Sequence, residues 1–114
     1  MSRILIKEGE IIADGTEQLA IEYTETGRLD GIIDLSHMAV GDTVLMREYQ
    51  KINGSYELYA EEPYYGVQVM PSIDVIPKTG KDGIRFTIQQ TAGVFKSYHY
   101  MFFVEVEKGN ILPI

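Results

Sequence analysis

The chain has 114 residues, 45% hydrophobic and 24% charged, a length and balance typical of one soluble domain. Ten Lys and Arg against seventeen Asp and Glu give a net charge of −7, so it lacks the basic excess that binds nucleic acid or anionic membranes. The absence of Cys excludes disulfides, thiolate metal sites and thiol nucleophiles. No signal-peptide pattern or membrane-spanning run is found, so we expect a cytoplasmic protein unless it is viral. From length and charge we expect a single domain over 1–114, with no nucleic-acid or membrane partner.

Apolar residues recur with a period of two along most of the chain, and no three-turn window keeps the spacing of an amphipathic helix. Eleven Gly and four Pro interrupt these runs at short intervals. The pattern predicts an all-β, single-domain antiparallel β-sandwich, jelly-roll-like, of about eight strands. The predicted strand segments, with a break near Pro71, lie at about 3–7, 9–13, 17–24, 29–34, 43–52, 55–61, 66–76, 84–91 and 97–107.

The clearest local signal is Asn53-Gly54, between two alternating runs. A type I′ turn needs positive φ at both central residues, and this dipeptide tolerates it. The turn predicts that Ile52 pairs with Ser55 and that Lys51 lies along the ring of Tyr56. We expect one face to point inward, namely Leu45, Arg47, Tyr49, Lys51, Tyr56, Leu58 and Ala60. The solvated face is then Met46, Glu48, Gln50, Glu57, Tyr59 and Glu61.

The last predicted strand is apolar on both faces for half its length. Met101 and Phe103 lie opposite the face that carries Tyr98, Tyr100 and Phe102. Either another element of the chain covers Met101 and Phe103, or they contact a partner subunit.

The final segment, 109–114, is an apolar tail that includes Ile111 and Leu112. Such a tail either lies along its own domain or is disordered, or it is an arm that docks on a neighbour by strand addition.

The side chains that carry chemistry form no recognisable catalytic or metal-binding motif. His37 and His99 have no partner at the spacing of a zinc site. Ser36 beside His37 is a poor triad, because sequence neighbours rarely have the required geometry. We expect no catalytic residue, metal site or cofactor. A loop calcium site stays open as an alternative, because acidic residues occur in turns or near strand ends at Asp30, Asp34, Asp42, Asp74 and Asp82.

Several of the eight Tyr residues lie outside the predicted inward face. Tyr59, Tyr64 and Tyr65 are candidates for exposed rings, which suit protein contacts and sugar stacking alike. With Tyr49, they support an alternative function, a carbohydrate or small-ligand-binding module, although the absence of Trp weakens the sugar case.

Two segments, Gly27–Ser36 (GRLDGIIDLS) and Met38–Tyr49 (MAVGDTVLMREY), belong to a pattern that resembles small β-sandwich structural proteins of virions. These are decoration or head proteins of tailed phages and of similar archaeal viruses. The resemblance covers about residues 15–105 and concerns size, strand spacing, acidity and missing catalytic groups. It implies a non-enzymatic virion subunit that binds a symmetric lattice or forms trimers or other rings. From the apolar last strand, the tail and the exposed Tyr residues, we expect a homo-oligomer or a partner of another structural protein, with interaction residues Tyr59, Tyr64, Tyr65, Met101, Phe103, Ile111 and Leu112.

Overall fold

The computed structural model describes residues 2–106, apart from the side chains of Ser2, Ile76, Pro77 and Val106. These residues form eight strands: β1 Ser2–Ile12, β2 Gln18–Tyr23, β3 Gly27–Asp34, β4 Thr43–Ile52, β5 Ser55–Tyr65, β6 Ser72–Gly80, β7 Ile84–Ala92 and β8 Ser97–Val106. The all-β prediction is confirmed. Within the same range, no helix has the length and apolar character needed to cross a membrane.

The strands form two antiparallel four-stranded sheets, β1-β8-β3-β6 (the first sheet) and β2-β7-β4-β5 (the second sheet). The pairs β1 with β8, β2 with β7, β3 with β6 and β4 with β5 make one long hairpin, which is folded over so that its pairs alternate between the sheets. This order is that of a jelly roll, which confirms the predicted arrangement.

Antiparallel pairing places alternate connections at opposite ends of the sandwich. Ser97 lies beside Ile12, Ser72 beside Asp34, and Tyr65 beside Thr43. One end therefore gathers the loops 13–17, 35–42, 66–71 and 93–96. The opposite end gathers the turns 24–26, 53–54 and 81–83, and Ser2 pairs there with Val106.

The core lies between the sheets and takes side chains from both. Phe86 of the second sheet and Phe102 of the first lie with their ring centroids 5.3 Å apart. A Cβ at Gly31 would lie 2.5 Å from the Phe102 ring, so glycine is needed there for this ring to pack. The other fully buried apolar side chains include Leu29, Ile33, Leu35, Val44, Ile84, Ile88 and Tyr98. Each contributes about 1.5–3 kcal/mol of hydrophobic burial to folding.

The predicted β4–β5 turn is confirmed. Asn53 and Gly54 have φ values of 52° and 82°, as a type I′ turn requires. Ile52 pairs with Ser55, and the Lys51 ammonium lies 5.7 Å from the centroid of the Tyr56 ring.

The predicted inward face of β4 is wrong, because it is inverted. Pairing with β7 sets Met46 and Glu48 beside Ile88 and Phe86, both buried, so Val44, Met46, Glu48 and Gln50 point inward. The predicted inward residues Leu45, Arg47, Tyr49 and Lys51 lie on the outer face.

On β5 the faces change at a bulge. The register shifts between Glu48 and Tyr49, so that Glu48 pairs with Ala60 and Tyr49 with Leu58. Tyr59 is the additional residue. Ala60 therefore points inward as predicted, whereas Leu58 lies on the outer face and is exposed.

Two predicted strand boundaries are also corrected. The predicted strands 3–7 and 9–13 form one strand, β1, with a bulge between Leu5 and Lys7. Gly9 does not break it, because the glycine gives room to the Tyr100 hydroxyl, which would lie 2.8 Å from a Cβ. Residues 66–71 are a loop rather than the start of a strand, since Gly66 has a φ of 64° and the Gln68 amide donates to the Tyr65 carbonyl at 3.0 Å.

Candidate functional site

The end of the sandwich that gathers the four long loops is rich in exposed apolar side chains. Val40 is 90% exposed, Val69 96% and Met70 77%. Of the fifteen large apolar side chains that are exposed within residues 2–106, eight lie here. We call this set the apolar end: Ile12, Val40, Tyr65, Val67, Val69, Met70, Val94 and Phe95. An ordinary protein surface exposes large apolar side chains singly and scattered. A concentration of them at one end is therefore typical of a contact surface.

Three of these loops are held together by Asp42, whose side chain is 1% exposed. Its carboxylate accepts hydrogen bonds from the Ala39 N–H at 2.9 Å, the Val94 N–H at 3.1 Å and the Lys96 ammonium at 2.9 Å. Its carbonyl accepts from the Gly66 N–H at 2.8 Å. The hydrogen bond from Lys96 lowers the pKa of Asp42, as do the two N–H donors, so the carboxylate is ionised at neutral pH.

A second buried group, Gln90, fixes the loop 93–96 from below. Its amide donates to the Val94 carbonyl at 2.8 Å and accepts from the Lys96 N–H at 3.0 Å and the Tyr98 hydroxyl at 2.9 Å. Burial, together with the charge of Asp42, raises the pKa of Tyr98 to about 12, so this hydroxyl remains a donor. The polar atoms beneath the apolar end are thus paired with each other, which keeps the loop rigid.

The apolar end has little positive charge. The four loops contain one Lys or Arg, Lys96, and its ammonium is bonded to Asp42. An anionic lipid surface would therefore find no free cation in these loops, whereas an apolar protein surface requires none.

The predicted interaction residues Met101 and Phe103 lie elsewhere, on the outer face of the first sheet. Both are partly buried between neighbouring strands, with Phe103 beside Leu5 and Asp30. The guanidinium carbon of Arg3 lies 4.2 Å from the Phe103 ring centroid, in a cation–π contact. Within residues 2–106 no further element covers this face, so the ring is shielded only by its own sheet.

The three predicted tyrosines do not share one surface. Tyr64 points inward and packs against the core, and Tyr65 is 68% exposed and belongs to the apolar end. Tyr59 is at the β5 bulge, where burial and the nearby charge of Glu48 raise its pKa. Ile111 and Leu112 lie outside the described residues.

Most members of the apolar end were missed by the reading of the sequence. Val67 and Val69 alternate with Gln68 like a strand, and with Met70 they were assigned to the predicted strand 66–76. The available signal was Gly66 on one side and Pro71 on the other, which are typical boundaries of a loop.

The outer face of the second sheet carries an open groove of about 550 Å³, lined by Glu17, Leu19, Tyr49, Tyr56, Arg85 and Thr87. The Tyr49 hydroxyl donates to Glu17, and the Tyr56 hydroxyl donates to Glu22 at 2.7 Å. The Arg85 guanidinium carbon lies 3.8 Å from the Tyr56 ring centroid, while its Nε is buried without a hydrogen-bond partner. Because that Nε is buried, the groove presents aromatic rings together with polar groups that already have partners within the described residues.

The histidines have structural partners. His37 contacts the Ser97 carbonyl at 2.9 Å, and His99 contacts Glu8 at 2.9 Å. The Ser36 N–H donates to Asp34 at 2.9 Å, a local turn bond. Among residues 2–106, no three His, Asp or Glu side chains are grouped so as to hold a metal ion.

Comparisons with family models, with curated proteins and with solved structures give no match to this chain. A jelly roll occurs in capsid, lectin and cupin proteins alike, so the fold by itself does not select among these functions.

Proposed function

We propose that this protein is a non-enzymatic assembly protein that self-associates through the apolar end. The observation that carries the proposal is the gathering of eight exposed apolar side chains at one end of the sandwich, where a buried ion pair holds three of the four loops in place. Full burial of one such side chain contributes about 1.5–3 kcal/mol, so eight can exceed the association cost of about 4–15 kcal/mol. A virion subunit, as the resemblance implies, is one setting for such a protein.

A second copy of the chain is the partner that fits this surface best. The four loops carry no free Lys or Arg for an anionic partner, and the large apolar side chains that they expose are mainly aliphatic. Two apolar ends can face each other about a two-fold axis, since the exposed carboxylates of these loops, Asp14 and Glu17, both lie in the loop 13–17. The net charge of −7 opposes this association at long range. We therefore expect self-association to strengthen with salt, because salt screens the repulsion between copies.

The test is the molar mass in solution, measured by sedimentation equilibrium at low and high protein concentration. Val69→Asp is expected to shift the protein to monomer, because it places a charge in the contact. Ile52→Asp is the matched control, since Ile52 is 57% exposed at the opposite end and should leave the mass unchanged. Phe103→Asp separates the two apolar surfaces: the proposal expects little effect.

Either a monomer at every concentration and salt level, or dissociation by Ile52→Asp equal to that by Val69→Asp, would contradict the proposal. Dissociation by Phe103→Asp alone would move the contact to the outer face of the first sheet.

The second candidate is a carbohydrate or small-ligand-binding module, favoured by the groove on the second sheet with its Tyr49 and Tyr56 rings. A sugar ring could stack on Tyr49. A glycan array probed with the protein and with Tyr49→Ala would test it. Binding that is lost in Tyr49→Ala supports it, and a blank array removes it.

A further inference from the structure

A cavity of about 250 Å³ lies at the edge of the sandwich where β5 of the second sheet faces β6 of the first. Its apolar and aromatic lining comes from Met46, Ala60, Tyr64 and Val75. Glu48 points inward from β4, beside the buried Phe86 of β7, and its side chain lies in the same wall. The cavity is therefore a space between the sheets with a partly apolar lining. The inner faces of β4 and β5 bring two carboxylates to it, the partly buried Glu48 and the exposed Glu62.

One oxygen of the Glu48 carboxylate has no hydrogen-bond partner among the described residues. The side chain is 14% exposed, and this oxygen, Oε2, is buried. The Lys78 ammonium lies 3.9 Å from Oε2, an ion pair without a hydrogen bond. Buried acceptors in native folds are rarely left unpaired, so this one calls for an explanation.

The environment of this carboxylate selects the chemistry of its ligand. Burial raises the pKa of Glu48, against the opposing effects of the Lys78 charge and a hydrogen bond from Tyr59. A cationic N–H donor would favour the ionised form of Glu48, because charge-assisted bonds are the strongest available to a carboxylate. The remaining ionisable groups that line the cavity are Glu61, Glu62, Tyr64, Asp74 and Lys78, a net negative set that attracts cations.

The chain itself gives an example of this preference. The Lys78 ammonium approaches Glu48 and lies 5.7 Å from the Tyr59 ring centroid, so a primary amine is already drawn to the carboxylate and an aromatic ring. A divalent metal ion fits less well, since no group of three metal-ligating side chains is found among the described residues.

We propose that this cavity binds a small organic ammonium ion, which pairs with the Glu48 carboxylate in competition with Lys78 while its apolar body lies against Met46, Ala60, Val75 and Tyr64. The volume of about 250 Å³ suits a ligand smaller than a typical drug molecule. This site is on the side of the sandwich rather than at the apolar end, so it does not depend on self-association.

The experiment is a titration of the full chain with benzylammonium chloride at neutral pH, followed by methyl NMR of Met46. Benzyl alcohol is the neutral probe of matched shape. Benzylammonium is expected to shift the Met46 methyl signal saturably, and benzyl alcohol is not. Glu48→Gln should weaken benzylammonium binding by at least about tenfold, because it removes the charge-assisted bond. Glu62→Gln, which changes a carboxylate at the same cavity, should weaken it by less than about threefold.

Equal binding of both probes, unchanged binding by Glu48→Gln, or no binding of benzylammonium would each overturn the proposal. Thermal unfolding of Glu48→Gln verifies that the variant is folded. Lys78→Met provides a second route, because removal of the competing ammonium should tighten benzylammonium binding, and weaker binding in this variant would contradict the site.

Discussion

The two ends of the sandwich are built from the same eight strands and differ in almost every other respect. At the end opposite the apolar end, the turns 24–26, 53–54 and 81–83 are two or three residues long and polar. Hydrogen bonds to main-chain carbonyls join them: the Lys51 N–H donates to the Gly83 carbonyl at 2.9 Å, and the Thr26 hydroxyl to the Lys81 carbonyl at 3.0 Å. The apolar end has loops of four to eight residues and relies on a buried ion pair.

The difference shows two ways of ending a β-sandwich. The residues of a short turn must suit the backbone φ of the turn and the register of the strands, which leaves few side chains for other roles. A long loop needs internal support, and here Asp42 and Gln90 supply it from beneath. The exposed apolar side chains of these loops are not required for that support, which leaves them free for an external contact.

The largest expected effect is from Asp42→Ala. It leaves the Lys96 ammonium and two N–H groups unpaired, so the free energy of unfolding should fall by about 3 kcal/mol. Chemical denaturation measures this. Asp82→Ala, in an exposed turn at the other end, is the control and should change it by less than about 0.5 kcal/mol.

The same residue gives a pH dependence with a defined sign. Because the pKa of Asp42 is lowered in the folded state, its contribution is complete above the unfolded pKa of about 4 and is lost as the pH falls through the folded value. The stability difference between the parent protein and Asp42→Ala should therefore shrink in acid. A difference that is constant with pH would contradict the role given to the ionised carboxylate.

A smaller effect, about 2 kcal/mol, is expected from Gly93→Ala. Gly93 has a φ of 91°, and a Cβ there would lie 2.0 Å from Asp42 Oδ1. Gly41→Ala is a close match, with a φ of 92° but open space around its Cβ, and should lose only about 1 kcal/mol. Thermal unfolding of the two variants isolates the contact with Asp42. Equal losses would mean that backbone strain alone matters at this end.

The smallest effect is expected from Asn53→Ala, at the end of the sandwich opposite the apolar end. Asn53 has a φ of 52°, which alanine tolerates less well, so unfolding should become easier by about 1 kcal/mol. Ser55→Ala, beside the turn, should be within about 0.5 kcal/mol of the parent. The oligomeric mass should be unchanged in both variants, and a change in mass with Asn53→Ala would show that the two ends are coupled.

Those parts of the fold that depend on local geometry could be predicted from the sequence. The period of two indicated strands, and Asn53-Gly54 specified the turn and the pairing beside it. The orientation of β4 could not be obtained in this way, because each of its faces mixes apolar and charged residues. The pairing with Phe86 and Ile88 on β7, a long-range contact, decides which face is buried.

The candidate sites were harder to predict for the same reason. Glu48 looks like a solvated residue in the sequence, and its burial follows from two pairings at distant positions. The apolar end is composed of residues from three loops and from the ends of β1 and β5, between positions 12 and 95, which only the strand order brings together. Met101 and Phe103 were singled out because they lie two residues apart in one strand, and closeness along the chain is visible in a sequence.

Every hydrogen-bonded strand pair among the described residues joins a strand before Asn53-Gly54 to one after it. During synthesis, the first four strands therefore have no complementary strand until the second half has left the ribosome, and their apolar faces remain unprotected for that time. The same arrangement means that two fragments separated at this turn should be mutually dependent, each unable to form a sheet alone. Mixing such fragments would rebuild both sheets at once, so the turn is a natural point for a split reporter.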